Sequence, residues 1–330
     1  MPIRGPAYPP HCSLFSSRCP VLVGGLRALH LSSCWTLELP STIHLPSLET
    51  LALSNISYAS SGGEIQWLIS GCPRLADLTL EACDRITNIT VPPETRLRSF
   101  ALRCCQRFRS ITLDLSETRE FEYRGRRPDA SRFTLVGGAP GRIVSAKIHV
   151  CGRRIDFETL REFLLLFANA AHLQLGWPDK QSRSDYDDFF ARFPLFHNVT
   201  RLELASRCKH QGVVLAVAGI LQQTPNLTAL SLKLGDDRNR VLLDDQDVAV
   251  DVPNVPVPCL GERLRDLSVE QYEGANVQRK LLRWLLAGAL VVESVPVVFA
   301  KGGYSVLDEL TTEIKHWAAM ANPAATVSFL

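Results

Sequence analysis

The chain has 330 residues, 46% hydrophobic and 21% charged, with a formal net charge of +2. That mix excludes a disordered chain, and the near-neutral balance gives no general drive toward nucleic acid or anionic membrane. The longest apolar runs, 213–221 and 284–292, fall short of the roughly 18 residues that cross a bilayer.

Residues 1–20 are rich in Pro and Ser, lack an apolar signal core, and are expected to be a disordered N-terminal segment. From Leu26 a short unit recurs, with apolar side chains at positions one, four and six. LRALHL gives Leu26, Leu29 and Leu31; SLETLAL gives Leu48, Leu51 and Leu53; RLADLTL gives Leu75, Leu78 and Leu80; RLRSFAL gives Leu97, Phe100 and Leu102. Weaker copies start at Thr118, Ile143, Ala170, Val199, Leu227 and Leu264, and another at Val292. Positions four and six lie on one side of a strand, as a period of two requires. No unit can bury that edge alone, so the units must stack into a parallel ladder.

Cys34, Cys83, Cys105 and Cys151 each fall three residues after the last strand apolar residue. Leucine-rich repeats place Asn or Cys there. Four of the ten cysteines therefore have a structural place. With no secretory leader, a disulfide framework is not expected, and a reducing cytoplasmic or nuclear setting is.

Successive starts lie 22, 27, 22 and 21 residues apart, then mostly 25 to 29. Short units leave room only for extended or 3₁₀ structure on the return path, whereas longer ones hold helices. Residues 64–72, 157–168 and 212–223 have helical periodicity, and 185–193 reads as a further short helix. Gly71-Cys72-Pro73 would stop the first, and Asp156 would cap the second. Residues 124–141, rich in Arg, Gly and Pro, read as a loop. Residues 235–258, with six aspartates and three prolines, read as an exposed insertion that stretches one interval to 37 residues.

The expected fold class is therefore α/β: a leucine-rich-repeat solenoid, with a curved parallel sheet and an irregular or helical convex side, over residues 21–258. Residues alternating with the strand leucines should face the concavity. His30, Glu122, Lys147, Gln174 and Glu203 hold position five and Arg103 holds position seven, making these six the expected partner contacts. The plainer alternative is a solvated sheet face.

No catalytic constellation is present. The pairs His149/Cys151 and Cys208/His210 each lack the second pair that zinc needs, and the paired glycines match no phosphate-binding form. No cofactor and no metal are expected, and the chain reads as a non-enzyme. Ten arginines (96, 98, 103, 107, 109, 119, 124, 126, 127 and 132) crowd one stretch, interleaved with Phe100, Phe108, Phe121 and Tyr123. Three of these aromatics sit on core positions, which favours a solvated basic face or an acidic-peptide docking patch over RNA stacking.

The stretches TIHLPSLETLALSNI and GCPRLADLTLEAC resemble the repeats of plant F-box/FBD/leucine-rich-repeat proteins. Residues 259–330 resemble the FBD module that ends those proteins, through Cys259, Leu260, Leu264, Leu267, Tyr272, Gly274, the helix of Leu281, Leu282, Trp284, Leu285 and Leu286, then Ala289 and Leu290, and closing Val327 and Phe329. Residues 1–25 do not resemble the family's F-box, which joins a Skp-type adaptor and a cullin ubiquitin ligase. The resemblance implies a protein-binding chain, the substrate-recognition part of such a ligase, with the adaptor a partner only if an F-box lies upstream. An F-box-less scaffold or decoy is the alternative reading, and an RNA-binding solenoid the third. No membrane partner is expected.

Overall fold

The computed structural model describes residues 11–12, 25–33, 36–37, 43–56, 63–83, 86–114, 116–126, 128–136, 143–152, 156–177, 192–206, 212–235, 257–300 and 307–330. They fall into two compact units, Met1–Ile143 and Val144–Leu330. Twelve strands run parallel in leading ladders, five in the first unit and seven in the second, which bears out the expected α/β class.

In the first unit the strands are β1 His11–Cys12, β2 Ala28–Ser32, β3 Thr36–Leu37, β4 Thr50–Ser54, β5 Asp77–Glu81, β6 Asn88–Thr90, β7 Ser99–Arg103, β8 Ser110–Asp114, β9 Glu120–Gly125 and β10 Phe133–Val136. The main ladder is β2-β4-β5-β7-β9, every pair parallel. Leu29, Leu51, Leu78, Phe100 and Phe121 share one row, and Leu31, Leu53, Leu80, Leu102 and Tyr123 the next. All but the first of these ten are buried, as are Leu48, Leu75, Leu97 and Thr118 at position one. Thr118 tolerates a leucine position because its hydroxyl lies 2.9 Å from the Leu97 carbonyl oxygen. Buried hydroxyls need such a partner.

Two backbone devices repeat with the leucines. At each strand entry, two consecutive N–H groups donate to one carbonyl of the preceding repeat: Glu49 and Thr50 to Arg27, Ala76 and Asp77 to Glu49, Arg98 and Ser99 to Ala76, Arg119 and Glu120 to Arg98. At the exits of β2, β4, β5 and β7, the residue at position eight turns left-handed, with φ of 57° at Ser33, 54° at Asn55, 49° at Ala82 and 55° at Cys104. Its N–H reaches the next rung; Ala82 donates to Arg103 and Cys104 to Arg124. A side chain with Cβ strains that conformation, and glycine does not. Ala82→Gly should therefore raise stability by up to about 1 kcal/mol, after glycine's own entropic cost. A denaturant midpoint that stays put or falls would show that the turn carries no strain.

The short return paths of the first unit form a second parallel sheet, β6-β8-β10. The loop expected over 124–141 is corrected here: after a 3₁₀ turn at Ala130–Arg132, residues 133–136 pair with β8 as β10. Its Phe133 is drawn inward against Phe108 (ring centroids 5.6 Å), Phe121 (5.9 Å) and Tyr123 (6.1 Å). Helix α1, Gly63–Ser70, ends at Gly71, where a Cβ would collide with the Ile43 carbonyl oxygen. Gln66 of α1 caps the edge strand β6: its amide donates to the Thr90 carbonyl and accepts the Thr90 N–H, both at 2.8 Å. That blunts an edge otherwise open to strand addition.

In the second unit the ladder is β11 Ser145–Val150, β12 His172–Gly176, β13 Arg201–Ala205, β14 Ala229–Lys233, β15 Asp266–Tyr272, β16 Ser294–Phe299 and β17 Thr326–Phe329. Helices fill its longer return paths: α2 Phe157–Leu165, α3 Gly212–Gln222, α4 Pro258–Glu262, α5 Asn276–Gly288 and α6 Leu307–Ala321. Asp156 caps α2 by accepting from the Thr159 N–H at 3.3 Å and its hydroxyl at 2.7 Å. Those bonds favour the carboxylate and hold its pKa below the usual value. The helix expected over 185–193 and most of the aspartate-rich insertion lie outside the described residues.

Residues 259–330 continue the ladder: β15 pairs with β14, β16 with β15 and β17 with β16. Cys259, Leu260, Leu264, Leu267, Tyr272, Leu281, Leu282, Leu285, Leu286 and Ala289 are all buried, while Leu290 is exposed. Buried Gln278 ties α5 to the sheet, accepting from the Glu273 N–H at 2.9 Å and donating to the Leu234 carbonyl at 3.3 Å.

Candidate interaction surface

Because positions four and six point inward, positions three, five and seven point away from the core. All six expected contact residues lie on that outward face, exposed or half-buried. In the first unit, position five aligns His30, Ala52, Thr79, Ala101 and Glu122, and position seven aligns Ser32, Ser54, Glu81, Arg103 and Arg124. The structure brings Arg103 and Glu122 together as a two-pronged pair, Nε to Oε1 at 2.6 Å and Nη2 to Oε2 at 2.7 Å. Glu81 adds a third charge 3.8 Å from Arg103. The Glu122 hydrogen bonds, opposed by partial burial, raise the Arg103 pKa further and keep it a fixed cation. His30 stands three rungs from Arg103 and two from Glu81, outside this cluster.

In the second unit, Lys147, Gln174 and Glu203 occupy consecutive rungs of one row. Glu203 Oε1 lies 3.0 Å from His172 Nε2, and His172 Nδ1 lies 3.3 Å from the Ser145 hydroxyl. Glu81 and His172 were missed by a reading restricted to position five and one position-seven residue. Charge at positions three and seven was the available signal. Gly176 is also informative: a Cβ there would collide with the His149 ring, which leans across the rung. In its row Ala205 is small and is followed by Lys233 and Glu270, while the row of Glu203 continues through Ser231 and Ser268.

The buried thiols are structural. Cys83 Sγ lies 3.5 Å from the Leu53 carbonyl oxygen, Cys105 Sγ 3.5 Å from that of Leu80, and the Cys83 N–H points at Cys105 Sγ at 3.4 Å. The hydrogen bond with Cys83 and burial push the Cys105 thiol far up, and burial raises Cys72 to about 12 and Cys259 to about 11. Thiols so protonated are poor nucleophiles. Cys34, Cys208 and His210 lie outside the described residues, and Cys151 is half-buried. Among the described residues no group of three or more His, Cys, Asp or Glu is placed to hold a metal ion. Nor is any helix among them long and apolar enough to cross a membrane.

Phe100, Phe108, Phe121 and Tyr123 are all buried, between 0% and 3% exposed, so none offers a face to a base. The arginines around them divide. Arg96 faces Glu117 at 3.9 Å, Arg98 faces Asp77 at 3.9 Å, and Arg132 bonds Asp129 at 3.2 Å while lying over the Phe108 ring. Arg107, Arg109, Arg119, Arg124 and Arg126 are exposed.

Comparison with known proteins agrees with the repeat pattern. Residues 5–145 match the family described as the At1g61320/AtMIF1 LRR domain. FBD-associated F-box protein At5g60610 of Arabidopsis thaliana is 26% identical over 258 residues, covering 76% of this chain and 62% of that protein. FBD-associated F-box protein At5g38590 of the same plant is 28% identical over 280 residues, covering 80% of this chain and 60% of that protein. The chain is similar to FBD-associated F-box proteins. The likeness covers about three quarters or more of its length. The chain spans between 53% and 62% of the length of the first curated relatives it matches.

Proposed function

We propose that this leucine-rich-repeat chain is a protein-interaction scaffold, and that it serves as the partner-holding part of an F-box-type substrate receptor of a cullin ubiquitin ligase. The observation that carries this reading is the outward sheet face. It presents ordered charged and polar side chains on neighbouring rungs, Arg103 with Glu122 and Glu81 in one unit and His172 with Glu203 in the other. Charges held by neighbours in this way lose little conformational freedom on binding, which favours specificity. His30, Arg103, Glu122, Lys147, Gln174 and Glu203 are the proposed contact residues. The relatives' names supply the link to F-box proteins. The free thiols suit a cytoplasmic or nuclear setting.

The test is quantitative capture from plant extract, comparing the chain with Lys147→Glu/Glu203→Lys and with Trp67→Ala, an exposed position of α1. Partners should be lost from the face variant and kept by the α1 variant. Identical capture by all three proteins would overturn the face as the contact surface. Ligase membership is tested separately, by co-purification of the gene's full product with a Skp-type adaptor; absence of the adaptor would leave a scaffold or decoy without a ubiquitin role.

A further inference from the structure

Among residues 96–132 there are ten arginines and five acidic residues, a local charge of 10 − 5 = +5 in a chain whose total is +2. The fold does not scatter this excess. Strands β7 and β9 are direct neighbours, with Arg103 opposite Arg124 in register. The chain leaves the C-terminal end of β7 through Arg107 and Arg109, and the C-terminal end of β9 through Arg126. One end of two adjacent strands therefore carries Arg103, Arg107, Arg109, Arg124 and Arg126. Arg103 is neutralised by Glu122 and Glu81. The other four are exposed and have no ion-pair partner among the described residues. Because β7 and β9 lie one strand spacing of about 4.8 Å apart, the segments that leave them run out side by side and form a cationic edge.

We infer that this arginine edge docks an acidic peptide segment of a partner protein. The inference rests on the protein-interaction reading above and names the chemistry of the partner. Guanidinium groups are forked donors matched to carboxylates, and unneutralised neighbours of like charge favour a ligand carrying several of them. Two observations favour a peptide over a single-stranded nucleic acid. The four aromatics in this stretch are buried, so stacking is not on offer. Glu122 stands on β9 two residues before Arg124, which a continuous phosphate backbone would meet as repulsion and a short acidic segment can avoid.

The experiment measures fluorescence anisotropy of a labelled twelve-residue Asp/Glu-rich peptide with the full chain. Its Asn/Gln counterpart and a twelve-nucleotide oligouridine are the comparison probes. The acidic peptide should bind and the amide peptide should not. Arg124→Ser/Arg126→Ser should weaken the acidic peptide about tenfold or more, through loss of charge-assisted contacts. Arg119→Ser, at the opposite strand end, should leave it unchanged. The proposal is overturned by equal binding of the amide peptide, by wild-type binding of the double variant in a folded protein, or by preferential binding of oligouridine. Any of these leaves the capture experiment with Lys147 and Glu203 standing, so the two readings fail separately.

Discussion

Gly274→Val will destabilise the second unit by about 2–5 kcal/mol, the sum of a strained backbone and an overfilled contact. Gly274 lies between β15 and α5 with φ of +76°, a conformation that β-branched residues all but avoid. A Cβ built there would stand 2.7 Å from both methyl carbons of Leu310. Leu310 belongs to α6 and is itself buried, so it has no free direction in which to retreat. Relief would require α6 to move away from the sheet. The measurement is urea unfolding beside Gly261→Ala, where the nearest atoms to a new Cβ are 3.9 Å away. Equal midpoints for the two variants would show that the turn is not the constraint described here.

Phe121→Ala should cost about 3–5 kcal/mol, the usual range for deleting a fully buried phenylalanine ring. Phe121 is 1% exposed and sits between two sheets of the first unit. Its ring meets Phe100 at 5.8 Å on the neighbouring rung and Phe133 at 5.9 Å on β10. Removing it takes away a side chain that links the main ladder to the return-path sheet, and the Phe100 and Phe133 rings cannot close the gap. Phe121→Leu should cost much less, because most of the volume stays. If Phe121→Ala unfolds at the wild-type denaturant concentration, the aromatic cluster is not what joins those sheets.

Much of this fold was legible because burial dictates residue type. Leu51, Leu53, Leu78 and Leu80 could only be core, and their spacing named both the strand and its inward side. The helices over 157–165 and 212–222 were legible for the same reason, with Asp156 announcing the start of one. Strand β10 was hidden. Four residues, FTLV, were outweighed by surrounding Arg, Gly and Pro, and the pairing that makes them a strand comes from β8, more than twenty residues earlier.

The outward face was legible by row but not by contact. Period two places Glu122 and Arg103 on the surface, but their pairing depends on lateral register between residues 19 apart. His172 and Glu203 meet across 31 residues in the same way. No local pattern encodes such a distance; it follows only once the rungs are stacked. The division of the arginines into paired and unpaired sets is likewise a property of which strands become neighbours.

The doubled N–H donation at each strand entry bears on how such a chain can change over time. Position along the next rung is fixed by two donors reaching one carbonyl, whatever path the chain took to arrive. Thr228 accepts from both Arg265 and Asp266, as Ala76 does from Arg98 and Ser99, although the first interval is 37 residues and the second 22. New sequence can therefore enter between rungs without shifting the outward rows by a single residue. For an engineer, the stretch between Gly235 and Val257 is the natural place to graft a tag or a foreign recognition loop.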